Sequence, residues 1–180
     1  MTLVGTSRWL PPEEFLANEP QWNRRCEYVN GAAFDVAKRD SVHDRIVENL
    51  TKALTPLAEK CNGRLDTSGV KLRVEAANAY YYPDLLFTCE ERRADPVVYA
   101  PELVAEVAAA NTLGVDMREK LAAYRTIPWL KEYLVIQIDS RQADVWRRSA
   151  KGWNCVMYGV GGPFRLESLG ATLSVDQLFD

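Results

Sequence analysis

Two apolar runs, each interrupted by a single carboxylate, constrain this chain more than any other feature. Asp84 sits in Tyr-Tyr-Pro-Asp-Leu-Leu-Phe, and Glu106 in Glu-Leu-Val-Ala-Glu-Val-Ala-Ala-Ala. Runs of this length, bounded by turn residues, read as buried strands of a covered sheet. A buried carboxylate costs several kcal/mol unless a cation meets it, and a metal ion is one such cation. Lys120 follows on a helical stretch. Two strand carboxylates and a lysine so close together are the smallest set for metal-assisted phosphodiester hydrolysis.

Each residue also has an ordinary reading. Asp84 directly follows Pro83 and reads equally as the start of a strand with its carboxylate in water. Glu106 could share a solvent face with Glu102 and Val104. Asp116 and Lys120 are four apart and share a helix face, so one reads as a cap and the other as a surface lysine. His43 reads first as a capping or core histidine, and otherwise as a contact to substrate phosphate or metal-bound water. It is the combination that points to chemistry.

The chain is 180 residues long, with 47% hydrophobic and 26% charged residues. That predicts one domain over residues 1–180 with one core. His43 is the only histidine, which excludes a multi-histidine metal centre and leaves oxygen ligands, hence Mg²⁺ or Mn²⁺. Cys26, Cys61, Cys89 and Cys155 are scattered and read as reduced, mostly buried thiols. No apolar run reaches the ~18 residues of a membrane span. The N-terminus lacks a basic stretch followed by an apolar one, so a cytoplasmic location is expected. A net charge of −3 and a pI of about 5.4 argue against a general nucleic-acid coat but not against a nuclease. Arg92, Arg93, Arg118, Arg125, Arg147 and Arg148 are candidates to line a cleft.

In chain order, a helix is expected over 8–18, with Trp9, Phe15 and Leu16 buried. Asn30-Gly31 predicts a hairpin of strands 26–29 and 32–36. A helix over 41–60 opens on a capping-box-like Ser41-Val-His-Asp44, and Pro56 is expected to kink or end it. Strands follow near 70–75, 82–88 and 102–108. Asp116 and Glu119 form a second capping-box pattern, so a helix is placed over 117–126, closed by Pro128. A strand over 132–139, a hairpin from ADVWRRS and WNCVMYG, a turn at Gly161-Gly162-Pro163 and a short terminal helix complete the order. This predicts the α/β (α+β) class, a mixed sheet with helices packed on it.

Several motifs carry a resemblance. Cys26-Glu-Tyr-Val-Asn-Gly31 resembles a Tyr-Glu-x-x-(Asp/Asn)-Gly hairpin, and His43 with Ile46-Val47 and Leu50 resembles a His-x-x-Ile-Val-x-x-Leu helix. Val74-Glu-x-x-Asn78, Tyr81-Tyr-Pro-Asp84, Glu106-Val107, Asp116-x-x-x-Lys120-x-x-x-Tyr124 and Trp129-Leu-x-Glu-Tyr133 complete the set. Together, over about residues 10–180, they resemble the Uma-two family of the PD-(D/E)XK nuclease superfamily. The resemblance implies a restriction-endonuclease-like fold, a central mixed β-sheet flanked by helices. It implies an endonuclease acting on DNA with Mg²⁺ or Mn²⁺, in which Asp84 and Glu106 are the metal-binding acids and the Val107 carbonyl is a further ligand. Lys120 becomes the catalytic lysine, displaced from the usual place two residues after the glutamate, where Ala108 stands. His43, Glu27 and Tyr124 become substrate-side residues, and a homodimer is implied.

Two departures stand close to these residues. Ala109-Ala110-Asn111-Thr112 replaces the family's usual Ser-Pro-Ser-Thr, and Ala32 replaces a usual Glu after the hairpin glycine. They raise the rival of a catalytically inactive module for binding nucleic acid or a partner. A third option is a metal-dependent hydrolase of another substrate. The nuclease reading requires Asp84 and Glu106 on one face of the sheet, and two close buried acids lacking an internal cation would mark a metal site.

Overall fold

Asn30 and Gly31 adopt φ of 45° and 92°, the left-handed pair that a two-residue hairpin turn requires. They join β2 (Cys26–Val29) to β3 (Ala32–Asp35) in the expected register. The Trp9 ring lies on Gly31, in the space an added Cβ would take. The computed structural model describes every residue except 1, 4–8, 37, 38, 68, 93 and 95, with the backbone alone at 2, 3, 111 and 116.

Before the hairpin lie β1 (Thr2–Leu3) and α1 (Pro12–Asn18), the latter followed by a 3₁₀ turn over Glu19–Gln21. The first helix thus begins at its prolines and not at residue 8. Phe15 is fully buried, but Trp9 is 59% exposed. Trp9 precedes the helix and covers the hairpin turn, so it does not join a helical apolar face.

The long helix α2 (Ser41–Lys60) has the expected span. Its cap stands one residue earlier than expected: Asp40 Oδ1 accepts the His43 amide at 2.8 Å. Pro56 lies inside the helix without ending it. A proline there costs roughly 3 kcal/mol. Burial of Ile46, Leu50 and Leu54 at roughly 1.5–3 kcal/mol each outweighs it.

After α2 come β4 (Arg64–Thr67), β5 (Lys71–Val74), β6 (Ala79–Tyr81), β7 (Leu85–Thr88), β8 (Val97–Val98) and β9 (Pro101–Ala108). The single strand expected near 82–88 is two strands in two sheets. Pro83 has no N–H for a ladder, and the Tyr82 amide donates to the Glu27 carboxylate at 3.0 Å instead. The Tyr82 hydroxyl donates to the buried Glu19 carboxylate, which also pairs with Lys71. Tyr82-Pro83-Asp84 is therefore a clamped crossing between the sheets, with Asp84 at the start of β7.

The segment after β9 is helical from Ala110, earlier than the expected 117. It runs as α3 (Ala110–Val115), a wider π-type turn over Asp116–Lys120, and α4 (Leu121–Tyr124). The Ala110 amide finds its partner in Asp139 Oδ2 at 2.9 Å, so Asp116 lies mid-helix and not at a cap. The remaining elements are β10 (Glu132–Gln137), β11 (Gln142–Ser149), β12 (Gly152–Tyr158), β13 (Pro163–Leu166), β14 (Ala171–Ser174) and α5 (Val175–Phe179). Strands β1, β4, β8, β13 and β14 are additions to the expected set.

Among the described residues the strands form two mixed six-stranded sheets and a separate antiparallel pair, β13-β14. The expected central sheet has the order β12-β11-β10-β9-β7-β4, with β9 and β10 parallel across the helical crossover. A second sheet has the order β1-β3-β2-β6-β5-β8. Residues Ile46, Leu50 and Leu54 of α2 pack with Leu85, Phe87, Leu103, Ala105 and Val107 in one core. Leu86, Val104, Tyr133 and Val135 pack with Tyr124 of α4 and with Leu72 and Tyr81 of the second sheet in another. Strand β9 is covered on both faces, which explains its continuous apolar sequence. Of the four thiols, Cys26 is buried but Cys61 and Cys89 are exposed, against the expectation of mostly buried cysteines; all are free. Among the described residues, no helix is long and apolar enough to cross a membrane.

Candidate functional site

The crossing at Tyr82–Asp84 and the middle of β9 place the two acids together. Leu85, the first residue of β7, pairs with Ala105 across the antiparallel β7–β9 ladder, so Asp84 and Glu106 each adjoin that pair, and the Val107 amide binds Asp84. Both are buried, Asp84 at 5% exposure and Glu106 at 4%. The ordinary readings, Asp84 in water and Glu106 on a solvent face, do not describe this protein.

The wide turn in the crossover helix sets Lys120 and Tyr124 on Glu106. Lys120 Nζ donates to Glu106 Oε1 at 3.0 Å and the Tyr124 hydroxyl donates to the same oxygen at 2.9 Å. Lys120 Nζ also lies 3.2 Å from Glu27 Oε1 on the hairpin. Lys120 is buried, not a surface lysine. Burial, and then the neighbouring Glu106 charge, push the Tyr124 hydroxyl well above its ordinary pKa, so it remains a donor. Expansions of this type inside helices recur at functional sites.

Asp84 has a different set of partners. Its Oδ2 accepts the Val107 amide at 2.8 Å and faces His43 Nε2 at 3.0 Å. Its Oδ1 pairs with Arg39 Nη2 at 2.8 Å. Burial alone would raise the Asp84 pKa; the hydrogen bond and charge of His43, the Val107 amide and Arg39 together hold it below the ordinary value. The reverse balance acts on His43. Burial pulls its pKa down, but the bond to Asp84 and the Asp84 charge leave it raised. His43 Nδ1 is buried without a hydrogen-bond partner, 3.4 Å from Asp44 Oδ1.

All of Asp84, Glu106, Lys120, Val107, His43, Glu27 and Tyr124 thus meet in one region. Arg39 is the member that sequence reasoning missed. Its only sequence signal is a charge beside the α2 cap. The candidate arginines do not join the site as a basic cleft. Arg92 pairs with Asp66, Arg147 with Glu132, and Arg148 with the carbonyls of Leu130, Arg125 and Ile127, while Arg125 stacks on Trp146. Arg118 is exposed, and Arg93 lies outside the described residues.

The acids do not lack internal cations, contrary to the pattern expected of a metal site: Arg39 and His43 meet Asp84, and Lys120 meets Glu106. Among the described residues, no three His, Cys, Asp or Glu side chains are grouped to hold a metal ion. The donors that do adjoin are two carboxylates and the β9 backbone, all hard oxygens, which suit Mg²⁺ or Mn²⁺ and not a softer metal. That chemistry fits such an ion, with the remaining positions left to water and substrate.

Comparison with known proteins adds the lineage. Residues 12–176 match the family model Uma2, described as "Putative restriction endonuclease". An uncharacterized protein of Synechocystis, sll1609, is 31% identical over 140 residues, covering 76% of this chain and 79% of its own length. A second from the same organism, slr1290, is 25% identical over 173 residues, covering 94% and 91%. The crystal structure of a protein described as a putative nuclease belonging to DUF820, from Anabaena variabilis, superposes with a TM-score of 0.73. It covers 91% of this chain and 96% of that one at 12% identity, a likeness of fold.

Proposed function

The chain belongs to the Uma2 family of restriction-endonuclease-like proteins, and from that premise we propose that it is a Mg²⁺- or Mn²⁺-dependent endonuclease hydrolysing DNA phosphodiester bonds. The observation that carries this is a set of two buried acids, Asp84 and Glu106, adjoining one pair of the β7–β9 ladder, with Lys120 bonded to the second. In this reading Asp84, Glu106 and the Val107 carbonyl hold the ion. A divalent ion so held supplies Lewis acidity and a water of lowered pKa.

The chain's own residues set the rest. Lys120 is a positioned cation for the attacking water or the charge developing on the phosphate. Glu27 holds Lys120 from behind, and Tyr124 keeps Glu106 aimed by donating to it. We assign both to positioning rather than to direct contact with substrate. His43, in the first turn of α2, orients the Asp84 carboxylate and faces the cleft where a phosphate would lie. A homodimer in the cytoplasm would let two such sites act on the two strands.

Two observations favour the rival, an inactive module that keeps the fold. Both acids already have cationic partners, and Ala109-Ala110-Asn111 and Ala32 stand in place of the family's usual residues. Cleavage of supercoiled plasmid with Mn²⁺ separates the two. The nuclease reading expects nicked and linear product from the wild type and none from Asp84→Asn or Glu106→Gln. A wild type that neither cleaves nor binds Mn²⁺ favours the inactive module.

A further inference from the structure

The partners of Asp84 differ in how firmly they are fixed. The Val107 amide belongs to the buried strand β9, and His43 is anchored by its amide in the first turn of α2. Arg39 belongs to neither. It stands in the connection between β3 and α2, one residue before the Asp40 cap, and its side chain is 22% exposed. With His43, Thr51, Lys52 and Thr67 it lines a cleft of about 340 Å³ that also carries Asp44 and Glu48. Among the described partners of Asp84, Arg39 is the most exposed side chain.

Lys120 makes the contrast plain. It is buried between Glu27 and Glu106, with carboxylates on two sides. A cation arriving at Glu106 has no reason to expel it, because Glu27 retains it. Among the described residues Arg39 pairs with one carboxylate, Asp84, and its side chain is partly exposed.

We propose that Arg39 is a placeholder counter-ion. It neutralises Asp84 while no divalent cation is bound, and it is displaced into the adjoining cleft, toward the substrate phosphodiester, when one binds. This rests on the reading of Asp84 as a metal-binding acid. A guanidinium on a carboxylate oxygen takes up lone-pair density that a metal ion would use, and two cations close to one oxygen repel. The metal must therefore overcome the ion pair, which lowers its apparent affinity by the share of molecules in which Asp84 is taken. The released guanidinium carries the forked donor geometry that suits phosphate oxygens. The ion pair thus keeps a buried carboxylate from standing uncompensated, and its opening delivers a phosphate-binding group to the site.

The test is a calorimetric titration of Mn²⁺ into wild type, Arg39→Gln and Arg39→Lys, with phenylglyoxal labelling of Arg39 followed by mass spectrometry. Arg39→Gln is expected to bind Mn²⁺ roughly tenfold tighter, within the usual range of coupling between two bound groups. Arg39→Lys, which keeps the charge, is expected to stay close to wild type. Labelling of Arg39 in the wild type is expected to rise when Mn²⁺ is added. A residue that only braced the fold would give weaker binding on substitution. Equal or weaker Mn²⁺ binding by Arg39→Gln, or labelling indifferent to Mn²⁺, overturns the inference while leaving a metal-binding wild type intact. Absence of Mn²⁺ binding in the wild type and both variants overturns the metal reading itself, and this inference with it.

Discussion

The two acids adjoin the same pair of the β7–β9 ladder, yet they are neutralised in opposite ways. Glu106 is matched from inside, by a lysine and a tyrosine from the crossover helix and by a second acid that shares the lysine. Asp84 is matched from the rim, by a histidine and an arginine that face a cleft. Buried ion pairs are costly to break, because removing one partner strands the other in low dielectric. Pairs at the rim relax by admitting water. One half of the site is therefore fixed by the fold, and the other half can exchange partners.

Removing the internal cation should show this most strongly. Lys120→Met strands Glu106 and Glu27 together, and about 3–5 kcal/mol of stability should be lost, read as a shift of the urea midpoint. Adding Glu27→Gln to that variant should recover part of the loss, since one of the two stranded charges is then gone. A Lys120→Met protein as stable as wild type would end the distinction between the halves.

Asp84→Asn should cost less, about 1–3 kcal/mol, although Asp84 is as buried as Glu106. The amide oxygen of asparagine still accepts the Val107 N–H, and Arg39 can turn to solvent. The same variant should lose Mn²⁺ binding, so metal affinity and stability separate at this position. A stability loss as large as that of Lys120→Met would place Asp84 in the fixed half.

Tyr124→Phe is expected to remove about 1.5 kcal/mol, the usual worth of a hydrogen bond to a charged group, because Lys120 remains on Glu106. Urea denaturation measures this, and plasmid cleavage should fall without vanishing.

The smallest effect is on pH dependence in the metal-free protein. His43 has a raised pKa, so its contribution to stability is complete below its ordinary value of 6.5 and is lost as pH rises through the folded value. Asp84 has a lowered pKa, so its contribution is present above its ordinary value of 3.8 and is lost as pH falls through the folded value. The pair therefore contributes most between those limits. His43→Gln should flatten the decline of stability across neutral pH, measured as melting temperature against pH in chelator. An unchanged slope would detach His43 from Asp84.

Much of this arrangement is legible in the sequence, because the strong signals are local. The Asn30-Gly31 turn, the period of α2 and the apolar runs of β9 and β10 each follow from residues within a few positions of one another. What escaped the sequence depends on contacts distant along the chain. The strand expected near 82–88 divides because Glu27, 55 positions before Tyr82, accepts the Tyr82 amide where Pro83 interrupts the ladder. The crossover helix starts early because Asp139, 29 residues on, receives the Ala110 amide. The site acids and Lys120 were visible as charges in apolar surroundings and by family likeness. Arg39 was not, since a basic residue in a polar connection resembles any surface charge until Asp84 is placed against it.

The central claim is that Asp84 and Glu106 together hold a divalent cation. Anomalous diffraction from a crystal soaked in Mn²⁺ addresses it directly. The expected result is a manganese peak shared by the two carboxylates, with Lys120 still on Glu106 and the Arg39 guanidinium moved off Asp84. Protein crystals soaked at saturating Mn²⁺ that show no peak between these carboxylates, with Arg39 still on Asp84, would contradict it.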